Sequence, residues 1–212
     1  MHAKRSLIRR TTALAAATAA ALVLAACGGN SDGAAGHGGG HDASATPTAP
    51  SGTPQGTAAN NAADTAFAKG MLPHHRQALE MASLAATRAE SAEVKTLAEE
   101  IKKAQDPEIK TLTGWLTSWG EQVPPADGGG HAGHSMSGMM TGEEMDQLTK
   151  ASGKAFDTAF LQLMVKHHEG AVAMAKTEQA DGRYQPAKDM AAAIVASQSA
   201  EITRMNGLLG KN

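Results

Sequence analysis

The stretch that decides the fold is DTAFAKGMLPHHRQALEMA at residues 64–82, which returns 93 residues later as DTAFLQLMVKHHEGAVAMA at residues 157–175. The same offset holds without a gap in the segment that follows each copy. There, Ile101, Gln105, Glu108 and Ile109 match Ile194, Gln198, Glu201 and Ile202. A match that spans two segments and their connection indicates a duplicated unit.

Each copy is predicted to be a helical hairpin. Between Val94 and Leu116 the apolar residues recur every three or four positions, as the buried face of a helix requires. We predict helices over about 63–89, 91–119, 153–179 and 185–209, with Asp64 as a plausible N-cap of the first. The pattern Thr141-Gly142-Glu143-Glu144 predicts a capping box and a short helix over about 143–151.

The predicted fold class is all-α, a ferritin-like four-helix bundle made of two duplicated hairpins. Only 3% of the residues are aromatic against 11 methionines, which favours closely packed helices over a β-sandwich. The duplicated domain is assigned to 63–210, with repeats at 63–119 and 156–210. The linker at 120–152 is long enough to cross the length of such a bundle.

The N-terminal residues are typical of an export signal. Lys4, Arg5, Arg9 and Arg10 precede an apolar run at 11–26, which is shorter than a membrane span. The run ends in Leu24-Ala25-Ala26-Cys27, which looks like a bacterial lipobox; the alternative is an ordinary signal peptide followed by a chance cysteine. We therefore expect a lipoprotein signal peptide at 1–26, a lipid on Cys27 and a Gly/Ala/Ser/Thr/Pro-rich tether at 27–62.

An exported, lipid-anchored protein is the expected product, held at the outer face of the cell membrane or on its periplasmic side. Removal of the leader changes the formal charge from −2 to −6, because the leader carries four cationic and no acidic residues. Anchoring would therefore come from lipid rather than from charge attraction. The balance of charge gives no reason to expect nucleic-acid binding.

The repeated Met-x-x-His-His motif carries the chemistry. On a helical wheel its residues fall within about 120°, so histidines share a face that should be buried among methionines. Buried imidazole needs a hydrogen bond or a metal, and thioether sulfur prefers soft ions such as Cu(I). The candidate ligands of the two copies are Met71, His74, His75 and Met81, and Met164, His167, His168 and Met174.

Other interpretations of these residues stay open. Methionine on an apolar stripe is commonly core filler, and duplication alone would repeat a histidine pair. If Glu108 and Glu201 turn inward, a His/Glu site for Fe, Mn or Zn is the alternative. We expect Gln105 and Gln198 to hydrogen-bond the histidines, and Phe67 and Phe160 to be core residues. Adjacent histidines diverge by about 100°, so one should face the interior and the other the edge, and the pattern leaves open which one ligates.

The linker is a second candidate for metal capture. It concentrates soft or borderline ligands within ten residues, and such a tract can wrap Cu(I) without prior structure. Its candidates are His131, His134, Met136, Met139 and Met140. The tether histidines, His37 and His41, are interpreted as solvated.

The pattern FDTAFLQLMVKHHEGAVAMA, preceded by GMMTGEEM and followed by AIVASQSAEITRMNGLL, resembles a bacterial family known as domain of unknown function 305. The resemblance covers Ala63 to Leu209. It implies a ferritin-like bundle and, by analogy with exported members, copper binding or tolerance through the Met and His residues named above. One departure is Pro73 before the first histidine pair, where the second copy has Lys166.

The function expected is therefore binding of a soft metal, with copper favoured, for sequestration, tolerance or delivery. Delivery would require a copper-handling protein partner. We do not expect an enzyme, since no serine lies in a nucleophile-elbow context and the sole cysteine is assigned to lipidation. The alternatives are a metalloenzyme with an Fe, Mn or Zn site and a metal-free interaction scaffold.

Overall fold

The computed structural model describes residues 59–126 and 137–211, which form five α-helices and no strand. The helices are α1 (Ala62–Arg88), α2 (Ala92–Ser118), α3 (Gly142–Lys150), α4 (Gly153–Asp181) and α5 (Gln185–Leu208). α1 packs with α2 and α4 packs with α5, so each pair is a hairpin, and α1 packs against α4. The chain therefore forms the predicted bundle of two hairpins, with α3 in the crossover between them.

Local signals explain where the helices begin and end. Asn61, not the predicted Asp64, is the N-cap of α1: its side chain accepts from the N–H groups of Ala63 and Asp64. Asp64 stands at the third position and completes a capping box, which frees its second oxygen for a tertiary role. The capping box predicted at Thr141 is confirmed, and α1 runs through Pro73 without a break.

The two hairpins interlock with an approximate twofold symmetry. Asp64 accepts hydrogen bonds from the N–H groups of Arg183 and Tyr184 at 3.0 and 2.9 Å. Asp157 does the same for Glu90 and Ser91 at 3.1 and 2.9 Å. Every partner in the second set lies 93 residues from its counterpart, so each hairpin caps the turn of the other and α1 runs antiparallel to α4.

One polar pair breaks this symmetry. Glu178 is 1% exposed, and no backbone or basic group donates a hydrogen bond to either of its side-chain oxygens. Its carboxyl group lies beside that of Asp64. Burial above all, then the contact with Asp64, raises the pKa of Glu178 to about 8. Burial also opposes ionisation of Asp64, but hydrogen bonds, first from Asn61, lower its pKa overall. At neutral pH Glu178 is therefore protonated beside an ionised Asp64.

Several predicted features lie outside the described residues. They are the signal peptide at 1–26, the lipidation site Cys27, the tether up to residue 58, and the linker residues His131, His134 and Met136. The domain boundaries that depend on them stay predictions. Within 59–126 and 137–211, no helix is both long enough and apolar enough to cross a membrane.

Candidate metal centre

The face predicted for the Met-x-x-His-His motif is buried in both copies. Met71, His74 and His75 on α1 are 0% exposed. Met164 and His168 on α4 are also 0% exposed, and His167 is 1% exposed. Phe67 and Phe160 are core residues, as expected. The motif therefore places four imidazoles inside a helical bundle whose other interior residues are almost all apolar.

The first histidine of each pair meets its counterpart at the α1/α4 interface. The rings of His74 and His167 are in contact, with centroids 3.7 Å apart and planes tilted by 31°. Equivalent residues in contact place the approximate twofold axis between them. Burial, and then the neighbouring histidines, lower the pKa of His74 well below its ordinary value, and burial lowers the pKa of His167 to about 3. Both rings are therefore neutral at physiological pH.

These two rings differ in their hydrogen bonds. His167 lies with Nε2 2.9 Å from the carbonyl oxygen of His74 and Nδ1 3.2 Å from that of Gly138. A neutral ring has one N–H, so it donates to only one of these oxygens. Neither ring nitrogen of His74 has a partner with the geometry of a hydrogen bond, although the backbone of Ser137 lies close enough to the ring to oppose the lowering of its pKa.

The second histidine of each pair turns towards the second helix of its own hairpin. Nε2 of His75 lies 2.7 Å from Oε2 of Glu108, and Nε2 of His168 lies 2.6 Å from Oε2 of Glu201. The two histidines of a pair thus have different surroundings, as predicted. The expectation that one would point to the bundle edge is wrong, because His75 and His168 are fully buried, with Glu108 of α2 and Glu201 of α5 against their rings.

The glutamines near these pairs do not act as predicted. Gln105 and Gln198 are buried at 2% and 3% exposure, but the side-chain oxygen of each has no hydrogen-bond donor. The Nδ1 atoms of His75 and His168 also lack partners. The expected Gln–His hydrogen bonds are therefore absent, because the glutamates one turn further along α2 and α5 bind the rings instead.

The remaining methionine candidates occupy apolar surroundings. Met81 is fully buried in one hydrophobic cluster, whereas its counterpart Met174 is only partly buried against another. Met140 is 3% exposed in the same cluster as Met81, and Met139 is partly buried. The structure therefore brings Met140 from the linker into the bundle, while Met81 and Met174 differ despite their equivalent sequence positions.

Three residues that sequence reasoning missed hold the end of the linker against the site. The side-chain amide of Gln77 accepts from the N–H of Met140 at 2.7 Å and donates to its carbonyl at 2.9 Å. Gly138 has a φ of +84°, and a Cβ there would meet the Cα of Gly170 at 2.8 Å. A Cβ on Gly170 would meet the carbonyl oxygen of Ser137 at 2.1 Å. The linker backbone thus lies directly on α4.

A sequence signal for this contact did exist. Gln77 and Gly170 are equivalent at the 93-residue offset, just after the matched histidine pairs, yet they differ. One copy supplies the amide that clamps the linker, and the other supplies the space that admits it. The two copies therefore differ just after the histidine pairs that they share, and this difference marks where the linker packs against the bundle.

The donor set that these residues form is soft to borderline. Thioether sulfur favours Cu(I), and imidazole nitrogen binds copper as well as zinc, iron and nickel. Four of the eight ring nitrogens have no hydrogen-bond partner. Buried polar atoms without partners are rare in folded proteins and call for an explanation such as a bound ion. Among the described residues, no group of three or more His, Cys, Asp or Glu side chains could hold a metal ion. A site for a harder ion such as Fe, Mn or Zn would therefore have only one His–Glu pair in each half.

The fold and the buried Met/His face define a class of duplicated helical bundles with imidazoles at the interface between hairpins. The model of the family described as "Domain of unknown function (DUF305)" matches residues 64–209, and the chain belongs to this family.

Solved structures share this fold. A DUF305 protein from Streptomyces coelicolor is 37% identical, with a TM-score of 0.63, and the match covers 70% of this chain and 93% of that one. CopM in its Cu(II)-bound form is 36% identical, with a TM-score of 0.60, covering 68% of this chain and 94% of that one. CopM has also been solved with Cu(I) and with silver. No curated protein matches the chain.

Proposed function

We propose that this protein binds a soft metal ion, copper in the Cu(I) state, through the buried Met/His face of α1 and α4. One observation carries the proposal: the bundle buries four imidazoles beside fully buried Met71 and Met164, and half of the imidazole ring nitrogens have no protein partner. Leaving such atoms unpaired costs about 1–3 kcal/mol each, and a bound ion would remove that cost.

The chemistry of the face fits the ion. His74 lies on the twofold axis with no hydrogen-bond partner at either ring nitrogen, so its one unprotonated nitrogen is free to bind an ion. The thioethers of Met71 and Met164 lie one turn before the histidine pairs. Cu(I) when bound would be held by soft sulfur and unprotonated nitrogen ligands, which carry no charge and need not lose a proton to bind it. The similarity to CopM, which is known in copper- and silver-bound forms, supports the same choice of metal.

The proposal extends to where the protein works. A lipid on Cys27 would anchor the bundle outside the cytoplasm through the tether at 27–62, and copper held there would be sequestered or passed to a copper-handling partner. Metabolic labelling with a radioactive fatty acid should mark the wild-type protein and not the Cys27→Ala variant. An unlabelled wild-type protein would refute the anchor without affecting the metal proposal.

The metal is tested by competition for Cu(I) against a colour-forming chelator, using the protein from residue 28 onward. The test variant is Met71→Leu/Met164→Leu, since leucine keeps the volume of methionine and usually costs under about 1.5 kcal/mol. The control is Met190→Leu on α5, which lies outside the Met-x-x-His-His face. We expect the wild type and the control to withdraw Cu(I) from the chelator and the double variant to lose most of this ability.

Two results would contradict the proposal. Undiminished binding by the double variant would exclude the bundle thioethers as ligands and shift attention to the linker residues 131–140. No binding by the wild type would exclude copper, and titration with Fe(II), Mn(II) and Zn(II) would then separate a His/Glu site at Glu108 and Glu201 from a metal-free scaffold.

A further inference from the structure

The tryptophans and the tyrosine of this chain meet in one place, which we call the aromatic cluster. It consists of Trp115 and Trp119 of α2 and Tyr184 just before α5, the only residues of these two types in the sequence. The two indole rings lie nearly parallel with centroids 6.0 Å apart, and the Tyr184 ring stands edge-on to them at 5.5 and 5.4 Å. All three side chains are partly exposed, whereas all three phenylalanines are buried. The core thus takes phenylalanine, and the aromatic residues that carry a polar atom stay at the surface.

The 93-residue repeat provides an internal comparison, because the opposite end of the bundle is built from equivalent residues. None of the residues that match the aromatic cluster is aromatic. The equivalents of Trp115, Trp119 and Tyr184 are Leu208, Asn212 and Ser91. The helical hairpin therefore does not need these rings in order to pack, and the aromatic cluster serves only one end of the bundle. What distinguishes that end is the chain that enters there.

The aromatic cluster lies at the end of the bundle where the N-terminal segment joins it. The side-chain amide of Asn61, the residue before α1, donates to the carbonyl oxygen of Asp181 at 2.9 Å, and Asp181 is three residues before Tyr184. The end of α2 is at the same place, since Lys69 near the start of α1 pairs with Glu121 at 2.6 Å. A chain that leads away from α1 therefore starts beside the exposed rings.

The proposed lipid on Cys27 would bring this end of the bundle close to a membrane. A tether of about 34 residues with this composition spans about 30 Å on average. A helix of the length of α1 measures about 40 Å, so the opposite end of the bundle can lie much further away. A tether of this kind holds the aromatic cluster beside the lipid at an effective concentration of about millimolar, so even a weak contact would be populated.

We propose that the aromatic cluster docks on the surface of the membrane that holds the lipid on Cys27. Tryptophan and tyrosine favour the boundary between lipid headgroups and acyl chains, because their rings are apolar while their N–H and O–H groups stay hydrated. The inference rests on the lipid anchor of the proposed function. It adds which end of the bundle meets the membrane, with the start of α1 towards the lipid.

The charges near the aromatic cluster suit a zwitterionic lipid surface. Lys69 and Glu121 neutralise each other in a salt bridge. Arg183 and Asp181 are both exposed beside Tyr184 and have opposite signs. The mature chain carries a net negative charge, which an anionic membrane would repel. Contact through the rings, rather than through charge, is therefore the attraction that this end of the bundle offers.

Tryptophan fluorescence tests the docking directly, because both tryptophans of the chain belong to the aromatic cluster. The protein from Cys27 onward is coupled through this thiol, the sole one in the sequence, to a maleimide lipid in phosphatidylcholine vesicles. Bromine atoms on the acyl chains quench tryptophan only in close contact. We expect emission at shorter wavelength in plain vesicles and a loss of fluorescence in brominated ones. Fluorescence that is unchanged in both would overturn the docking.

The repeat itself supplies a matched variant. Trp115→Leu/Tyr184→Ser introduces the residues found at the equivalent positions and keeps Trp119 as the reporter, and circular dichroism checks that the variant folds. We expect it to lose the spectral shift and most of the quenching. Quenching equal to that of the wild type would overturn a role of the aromatic cluster. Dimerisation of the uncoupled wild type that the variant abolishes would also overturn it, since a second copy would then cover the rings.

Chemical coupling separates this inference from the anchor on which it rests. The maleimide lipid replaces the lipidation carried out by the cell, so the vesicle experiment tests the docking alone. An unlabelled wild type in the fatty-acid experiment would instead refute the natural anchor at Cys27.

Discussion

Glu178→Gln should stabilise the bundle, by an amount that grows with pH. The pKa of Glu178 is raised from 4.5 to about 8 by burial and by its contact with Asp64. Between these values the folded protein holds one more proton than the unfolded chain. The free energy of unfolding of the wild type therefore falls by about 1.4 kcal/mol for each pH unit in this window, and the loss is complete above about pH 8.

The magnitude at neutral pH follows directly. At pH 7 the wild type has lost about 3 kcal/mol relative to its value below pH 4.5. Glutamine does not ionise, and its amide can still donate a hydrogen bond to Asp64. We therefore expect the variant to exceed the wild type by about 3 kcal/mol at pH 7, equivalent to about 6–12 °C in Tm, and to equal it near pH 4.

Urea denaturation followed by the fluorescence of Trp115 and Trp119 measures this difference at pH 4, 5.5, 7 and 8.5. Comparing the variant with the wild type at each pH cancels the contribution of His74 and His167, whose lowered pKa values are common to both proteins. Glu169→Gln is the control, because Glu169 is exposed on the same helix. Parallel stability curves for Glu178→Gln and the wild type would refute the buried, protonated carboxyl.

Three further predictions concern how the linker and the hairpins are held. Gly170→Ala should displace the linker from α4, since the new Cβ would lie 2.1 Å from the carbonyl oxygen of Ser137; faster proteolysis after residue 126 would report this, and unchanged proteolysis would contradict the close contact. Gln77→Ala should cost about 1–3 kcal/mol by leaving the buried backbone of Met140 unpaired, and a loss below 0.5 kcal/mol, about the effect of a surface change, would count against the clamp. Asp157→Ala should cost about 1–2 kcal/mol in thermal unfolding through loss of the cap on the α1–α2 turn, and an unaltered Tm would contradict it.

The sequence determined the fold because the signals for it are local or repeated. The spacing of apolar residues between Val94 and Leu116 is a property of one helix, and the capping box at Thr141 involves four consecutive residues. The 93-residue repeat added the one non-local fact that mattered, since duplicated hairpins with a long crossover pack as a bundle. The N-cap of α1 was misplaced by three residues because Asn61 and Asp64 both suit that position, and they form the two halves of one box.

The site was only half determined in this way. Helical periodicity was enough to place Met71, His74 and His75 on a buried face, because side-chain direction on a helix follows from sequence position. Partners across helices do not follow from it. Tertiary packing alone decided that the ring of His74 contacts that of His167, that Glu108 rather than Gln105 contacts the ring of His75, and that the linker lies against Gly170. These contacts depend on how whole helices are rotated and spaced relative to one another. The sequence of a single helix does not determine this arrangement, because it is set by the packing of all four helices together.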